Sequence, residues 1–328
     1  MALFGFHASH EQFPPAELLG LVQAAQDAGF DAAMCSDHFH PWSDAQGHCG
    51  HAWTWLGSVM ATTTLPFGIV TCPVGRYHPA VIAQAAATLA QMHGERFWLA
   101  VGSGEALNES ITGEHWPPKQ VRNARLREAV DVMRALWKGE QVDHRGAIVV
   151  QQARLYTHPD KPLPILAAAL SPQTARWAGG WADGLITISA KREKMREVIG
   201  AFREGGGDGK PVHLQVKLSF ADSEHDALDG AHQQWRTNVL EGAVSEQLRQ
   251  PAQFEAAAAH VRPEDMRQAV RVSADAQQQA AWLHEDLELG VDQVYLHNVN
   301  RRQSGFIERF GKDVLPQLRS GARDRGAS

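Results

Sequence analysis

Apolar residues in this chain come in short solid runs, separated by longer stretches in which they recur every three or four positions. "LFGFHAS" (3–9) is apolar enough for a buried strand. "PAELLGLVQAAQDAGF" (15–30) follows with helical spacing, a proline at its start and Gly29 at its end. The alternation then repeats. It predicts strands at 32–37, 65–72, 96–104, 164–169, 184–189, 211–221 and 292–299. It predicts helices at 52–62, 79–94, 121–140, near 172–182, 191–203, 223–240 and 274–289, and a last one over "GFIERFGKDVLPQL". "QVDHRGAIVVQQARLYT" (141–157) reads as a hairpin insertion, and the polar, alanine-rich stretch 241–273 shows no clear strand.

Solid apolar strands divided by helices belong to a parallel sheet covered on its faces. Eight such units predict an α/β chain closed as a (β/α)8 TIM barrel, with insertions after strands 4 and 7. An open doubly wound sheet would carry Gly-x-Gly-x-x-Gly after its first strand, and "FGFHASHEQ" has nothing of the kind. One domain over 1–320 and a disordered tail at 321–328 are expected.

Composition adds bounds. Of 328 residues, 44% are hydrophobic and 21% charged, as in ordinary globular chains. A net charge of −6 gives no support for a nucleic-acid partner. Cys35, Cys49 and Cys72 stand in no paired spacing, which points to reduced thiols and a cytoplasmic protein. No apolar run reaches the roughly 18 residues of a membrane span, and "MALFGFHASHEQ" lacks the regions of a signal peptide.

Barrel chemistry sits at the carboxyl ends of the strands. There the sequence places His7, Ser9 and His10 after strand 1, and Asp37, His38, His40 and Trp42 ("CSDHFHPW") after strand 2. Thr71, Cys72, Pro73 and Arg76 follow strand 3, and Ser103, Glu105, Asn108 and Glu109 follow strand 4. Ser189 and Lys191 follow strand 6, and strand 8 ends in His297 and Asn298. Taken singly, each has a bland reading: a satisfied histidine under a loop, an aspartate capping a turn, a tryptophan in the core, a glutamate in the first turn of a helix. Their joint placement predicts a pocket. His38 and His40, with His48, Cys49 and His51 nearby, also allow a metal-dependent barrel hydrolase as an alternative, although strands 5 and 6 end without Asp or His. A barrel that carries a cofactor without turnover is a third reading.

"SDHFHPW", "RYHPAVIAQAAATLAQM", "GSGEALNE" and "WADGLITIS" together resemble the bacterial-luciferase-like oxidoreductases, in the branch of the F420-dependent glucose-6-phosphate dehydrogenases. The resemblance runs over nearly the whole chain. It implies a luciferase-like TIM barrel with a flavin-type cofactor, FMN or coenzyme F420, across the carboxyl end. It implies hydride transfer to or from a small organic substrate, as a dehydrogenase or as a monooxygenase supplied by a flavin reductase, and commonly a homodimer. By the same resemblance His38 and Glu105 are the catalytic acid–base groups and Trp42 the aromatic wall at the reacting centre. Asp37, Val70, Cys72, Ser103, Gly104, Asn108, Leu170, Ser171, Gln173 and Thr174 are cofactor-binding positions, and the Ile69–Val70 bond is a candidate cis peptide. Such roles suit the chemistry. Oxidising an alcohol needs a base for the hydroxyl proton, and histidine, with an ordinary pKa of about 6.5, serves near neutral pH.

The chain also departs from that branch. Lys191 matches the lysine that sugar-phosphate members use after strand 6, but Ile188 stands where they have threonine, and no clear match exists for the further lysine and arginine expected within 241–273. A phosphate dianion generally needs more than one cationic partner, so Lys191 and Ile188 line a substrate site poorly suited to glucose 6-phosphate. Leu170-Ser171 replaces a glycine pair that lets backbone approach a cofactor phosphate. Ser171 and Thr174 hydroxyls near a helix N-terminus can still hold a terminal phosphate, which places FMN ahead of F420.

Overall fold

In the computed structural model, which describes residues 2–240 and 242–319, the eight strands pair in chain order and close on themselves. They are β1 Leu3–Ala8, β2 Ala32–Ser36, β3 Phe67–Thr71, β4 Phe97–Val101, β5 Ile165–Ala168, β6 Gly184–Ile188, β7 Val212–Ser219 and β8 Gln293–Asn298. Every neighbouring pair is parallel, and β8 returns to β1 with Phe4 opposite Val294 and Phe6 opposite Leu296. Helices such as Pro15–Asp27, Pro79–His93 and Lys119–Trp137 connect the strands, as expected of a (β/α)8 barrel.

Alternation along each strand sorts the side chains. Phe4, Phe6, Ile69, Leu99, Leu214 and Val216 face the helices in the main core. Ala32, Met34, Trp98, Ala100, Leu166, Ile186 and Tyr295 fill the lumen as a second cluster. Large rings in the lumen need bare backbone opposite them: a Cβ on Gly68 would overlap the Trp98 ring, and one on Gly5 the Tyr295 ring, so glycine there is a packing requirement. Towards the carboxyl end the inward positions lose their large rings and hold Ser36, Val70, Ala100, Ala168 and Ile188 beside the polar His7, Lys217 and His297. This shallow floor is where the barrel opens.

The hairpin is present, with Val142–Arg145 antiparallel to Val149–Ala153. The stretch 241–273 corrects its expectation. Besides the helix Pro251–Ala257 it contributes a two-residue strand, Arg271–Val272, that extends β7 by pairing with Leu218 and Ser219. The Ile69–Val70 expectation is also corrected. No cis peptide occurs among the described residues; β3 keeps an unbroken ladder with β2 and β4, and the Val70 carbonyl accepts from the Asp37 amide at 2.9 Å. The expected tail, 321–328, lies outside the described residues. No helix among them is long and apolar enough to cross a membrane.

Candidate active site

The turn leaving β2 carries Asp37 and His38 up the wall of the mouth, and they have different fates. The Asp37 carboxylate is turned into the wall. It accepts from Thr71 Oγ1 at 2.7 Å and Trp53 Nε1 at 3.1 Å, and pairs with Arg76 at 2.8 Å. Arg76 continues to Glu109 at 2.6 Å. Burial works against the Arg76 charge, but the two carboxylates hold it charged; burial raises Glu109, with Arg76 opposing. This ion-paired girder ties the exits of β2, β3 and β4 together.

His38 faces the opening. Its Nδ1 lies 2.5 Å from Glu11 Oε1 and its Nε2 3.9 Å from Glu105 Oε2. Burial alone would lower its pKa, but the Glu11 carboxylate beneath it, helped by Glu105, lifts it from 6.5 to about 9. Burial would raise Glu11, yet His38 holds it well below the usual carboxylate range. Ser9 Oγ donates to the other Glu11 oxygen at 2.8 Å and fixes its orientation. Trp42 stands edge-on to His38, ring centroids 5.4 Å apart, and is itself backed edge-on by Phe254 at 5.4 Å from the insertion after β7.

Glu105 opens the short helix Ala106–Glu109 and is steered by Asn108, whose Nδ2 donates to Glu105 Oε2 at 3.1 Å. The Asn108 Oδ1 accepts the backbone amides of Phe39 and His40, at 2.8 and 3.1 Å, and so binds the β4 exit to the loop that carries His38. Gly104 has φ +77, and a Cβ there would come within 2.7 Å of Glu109 Cγ and 2.8 Å of Cys72 Sγ. Cys72 is therefore buried beneath the turn, its thiol pushed up by burial and by Glu109. Ser103 Oγ accepts from Lys119 Nζ at 3.0 Å. Beside it lies a cleft whose lining mixes Ser103, Trp116, Arg122 and Arg125 with the acids Glu109 and Glu114. Trp116 Nε1 and Arg125 Nε are buried there without hydrogen-bond partners. The charges of Arg122 and Arg125 are met by Glu246 at 3.1 Å and Glu114 at 3.6 Å, so what the cleft offers a cofactor is two spare N–H donors, which fit an acceptor oxygen on it.

The histidines of the floor are neutral. His7 and His297 stack at 4.2 Å, and burial lowers His7 to about 4 and His297 well below its ordinary value. His7 and His297 were among the polar residues expected at the strand exits, whereas Glu11 did not stand out from the sequence as a site residue. The signal for Glu11 was the Ser-x-Glu spacing at the exit of β1.

The remaining expected positions lie at the exits of β5 and β6. Ser171 caps the helix Pro172–Gly179, accepting from the Thr174 amide at 3.3 Å, with Gln173 exposed in its first turn. Leu170 is 58% exposed. Ile188 ends β6 on the lumen side, and Lys191 is exposed just before the helix Arg192–Phe202. The metal reading is corrected. Among the described residues no group of three or more His, Cys, Asp or Glu side chains converges to hold an ion. His40 points its Nδ1 at the Leu107 carbonyl, 2.9 Å away, while His38 is engaged by Glu11.

Known proteins resemble this chain over nearly its whole length. The chain is 36% identical to the F420-dependent glucose-6-phosphate dehydrogenase of Mycolicibacterium gilvum, over 96% of this chain and 97% of that one. It is 35% identical to the enzyme of the same name from Beutenbergia cavernae over the full length of both. Among solved structures, an F420-dependent secondary alcohol dehydrogenase in complex with an F420-acetone adduct superposes with a TM-score of 0.90 at 30% identity, covering 97% of this chain and 99% of that one. Residues 1–293 match the model of the luciferase-like monooxygenases, and the protein belongs to that family of barrel oxidoreductases.

Proposed function

We propose that the protein is an F420-dependent oxidoreductase that interconverts a small alcohol and its carbonyl compound, with His38 handling the proton at the substrate oxygen. The observation that carries this reading is His38 set between Glu11 and Glu105 at the barrel mouth, against Trp42. Glucose 6-phosphate and a secondary alcohol, the substrates in the relatives' names, share a carbon bearing both a hydrogen and a hydroxyl. F420, when bound, supplies the hydride acceptor or donor. At neutral pH the His38 ring is charged and donates its Nε2 proton to a carbonyl oxygen in the reductive direction. In the oxidative direction it must first be neutral to take the hydroxyl proton, so oxidation favours alkaline pH. Glu105, fixed by Asn108, is the second proton-handling group, and Trp42 closes the reacting centre from the side.

We set F420 ahead of FMN, reversing the order taken from Leu170-Ser171. The named relatives use F420 by name, and the exposed Leu170 side chain leaves the approach to Ser171 open. With the alcohol as the source of hydride, the reaction needs no flavin reductase. Free Cys35, Cys49 and Cys72 accord with the cytoplasm, and we read the barrel as one domain that works as a homodimer, which sedimentation tests. The decisive test is fluorescence titration of the purified protein with F420 and with FMN. Saturable binding of F420 in the micromolar range or tighter, with FMN at least tenfold weaker, is expected; the reverse order contradicts the reading.

A further inference from the structure

Among the described residues, Lys217 at the mouth makes no ion pair and its ammonium no hydrogen bond. Along β7, Val212, Leu214, Val216 and Leu218 lie in the core against the helices, so His213, Gln215 and Lys217 face the lumen. His213 sits deep, edge-on to Trp98. Gln215 lies higher, 3.3 Å from His297. Lys217 is the last of the three and reaches the mouth. Its ammonium stands 5.7 Å from the centroid of the Trp235 ring, which in turn meets His297 edge-on at 4.7 Å. Among the described residues no carboxylate or other acceptor lies within hydrogen-bond distance of it. The other inward cations are matched: Arg76 by Asp37 and Glu109, Arg122 by Glu246, Arg271 by Asp286.

We propose that Lys217 anchors a carboxylate on the substrate, so that the site takes hydroxy acids and the matching oxo acids in preference to neutral alcohols. The inference rests on the oxidoreductase reading for its carbinol, but the anchor stands on its own geometry. Trp235 and Trp42 belong to one apolar cluster, so Lys217 lies on the same wall as the aromatic that flanks His38. That wall is apart from the cleft at the β3 and β4 exits that Trp116, Arg122 and Arg125 line. Burial draws the lysine down to about 8, with Glu105 opposing, which leaves it largely charged at neutral pH. Lys217 is only half-buried, but it stands in a largely desolvated lumen where a charge is ordinarily paired or bound to a ligand, and the adjoining His7 and His297 are held neutral and offer no counter-charge. One lysine beside an indole suits a monoanion; a phosphate dianion asks for more cationic partners.

The test uses 2-hydroxypropanoate, 3-hydroxybutanoate and 4-hydroxypentanoate, each against its methyl ester, which keeps the carbinol and removes the charge. Calorimetric binding and F420-reduction rates are measured for wild type, Lys217→Met and Lys217→Arg, with F420 affinity followed by fluorescence. The wild type is expected to bind at least one acid tenfold or more tighter than its ester. Lys217→Met should lose that preference through KM at unchanged F420 affinity, and Lys217→Arg should retain most of it. No acid preference in the wild type at any length, or a preference that survives Lys217→Met, overturns the proposal, as does a Lys217→Met defect confined to F420 binding. Acid-selective binding without F420 binding would uphold the anchor and refute the oxidoreductase reading instead.

Discussion

Replacing Glu11 with glutamine keeps the shape of the side chain beneath His38 and removes its charge. The rise of His38 from 6.5 to about 9 corresponds, at about 1.4 kcal/mol per tenfold change in proton affinity, to roughly 3 kcal/mol of preference for the charged ring. Glu11 carries most of it, because it is almost fully buried and 2.5 Å away, whereas Glu105 is 3.9 Å away with a side chain 41% exposed and screened by water. Without Glu11, burial dominates and returns the ring to about 6.5 or lower. The assay is the pH dependence of alcohol oxidation between about pH 5 and 10. The wild-type rate should climb with an apparent pKa near 9, and in Glu11→Gln the climb should move to lower pH by roughly two and a half units or more. Carbonyl reduction, which needs the charged ring, should lose its activity above pH 7 in the variant while the wild type keeps it to about 9. An alkaline limb that stays in place in Glu11→Gln would refute the assignment of His38 as the titrating group.

The same pair sets a stability profile. The raised His38 contributes stability that is full below 6.5 and lost as pH rises through about 9; the lowered Glu11 contributes stability present above 4.5 and lost as pH falls. Denaturant unfolding should therefore show the largest deficit of Glu11→Gln against wild type between about pH 5 and 6.5, and a deficit independent of pH contradicts the pairing. Asp37→Asn leaves Arg76 buried with one carboxylate in place of two and should cost about 3 kcal/mol of unfolding free energy; a loss under about 1 kcal/mol would mean that the girder is slack. Gly104→Ala must hold φ +77 and push Cβ against Glu109 and Cys72, so it should cost about 1–3 kcal/mol in thermal unfolding and weaken F420 binding; unchanged values in both would contradict the tight turn.

How much of this was legible in the sequence varies by element. The barrel was, because most strands are solid apolar runs, β7 alternates into the lumen, and each helix keeps its spacing for two turns or more. Arg271–Val272 was not, since two residues carry no periodicity and the pairing depends on the reach of β7. His38, Trp42 and Glu105 could be picked out as residues at strand exits. Their roles came from resemblance, and the inversion of His38 from ready base to resident acid depends on Glu11, from a different turn. Asp37 read as a pocket residue because its side chain is an acid at a strand end; only its hydrogen-bond partners show that its oxygens are turned inward. Lys217 was visible in principle, as the third polar residue at every second place in "HLQVK", a pattern that puts polar groups into a lumen.

The central claim is that His38 moves the proton while F420 exchanges hydride at the barrel mouth. Its most direct test is the reduction of protein-bound F420 by a panel of secondary alcohols, hydroxy acids included, followed by loss of cofactor absorbance in wild type and His38→Ala. The account predicts that both proteins bind F420 alike and that the His38→Ala rate falls by about a hundredfold or more. Equal rates in the two proteins, or a wild type that fails to bind F420, would contradict it.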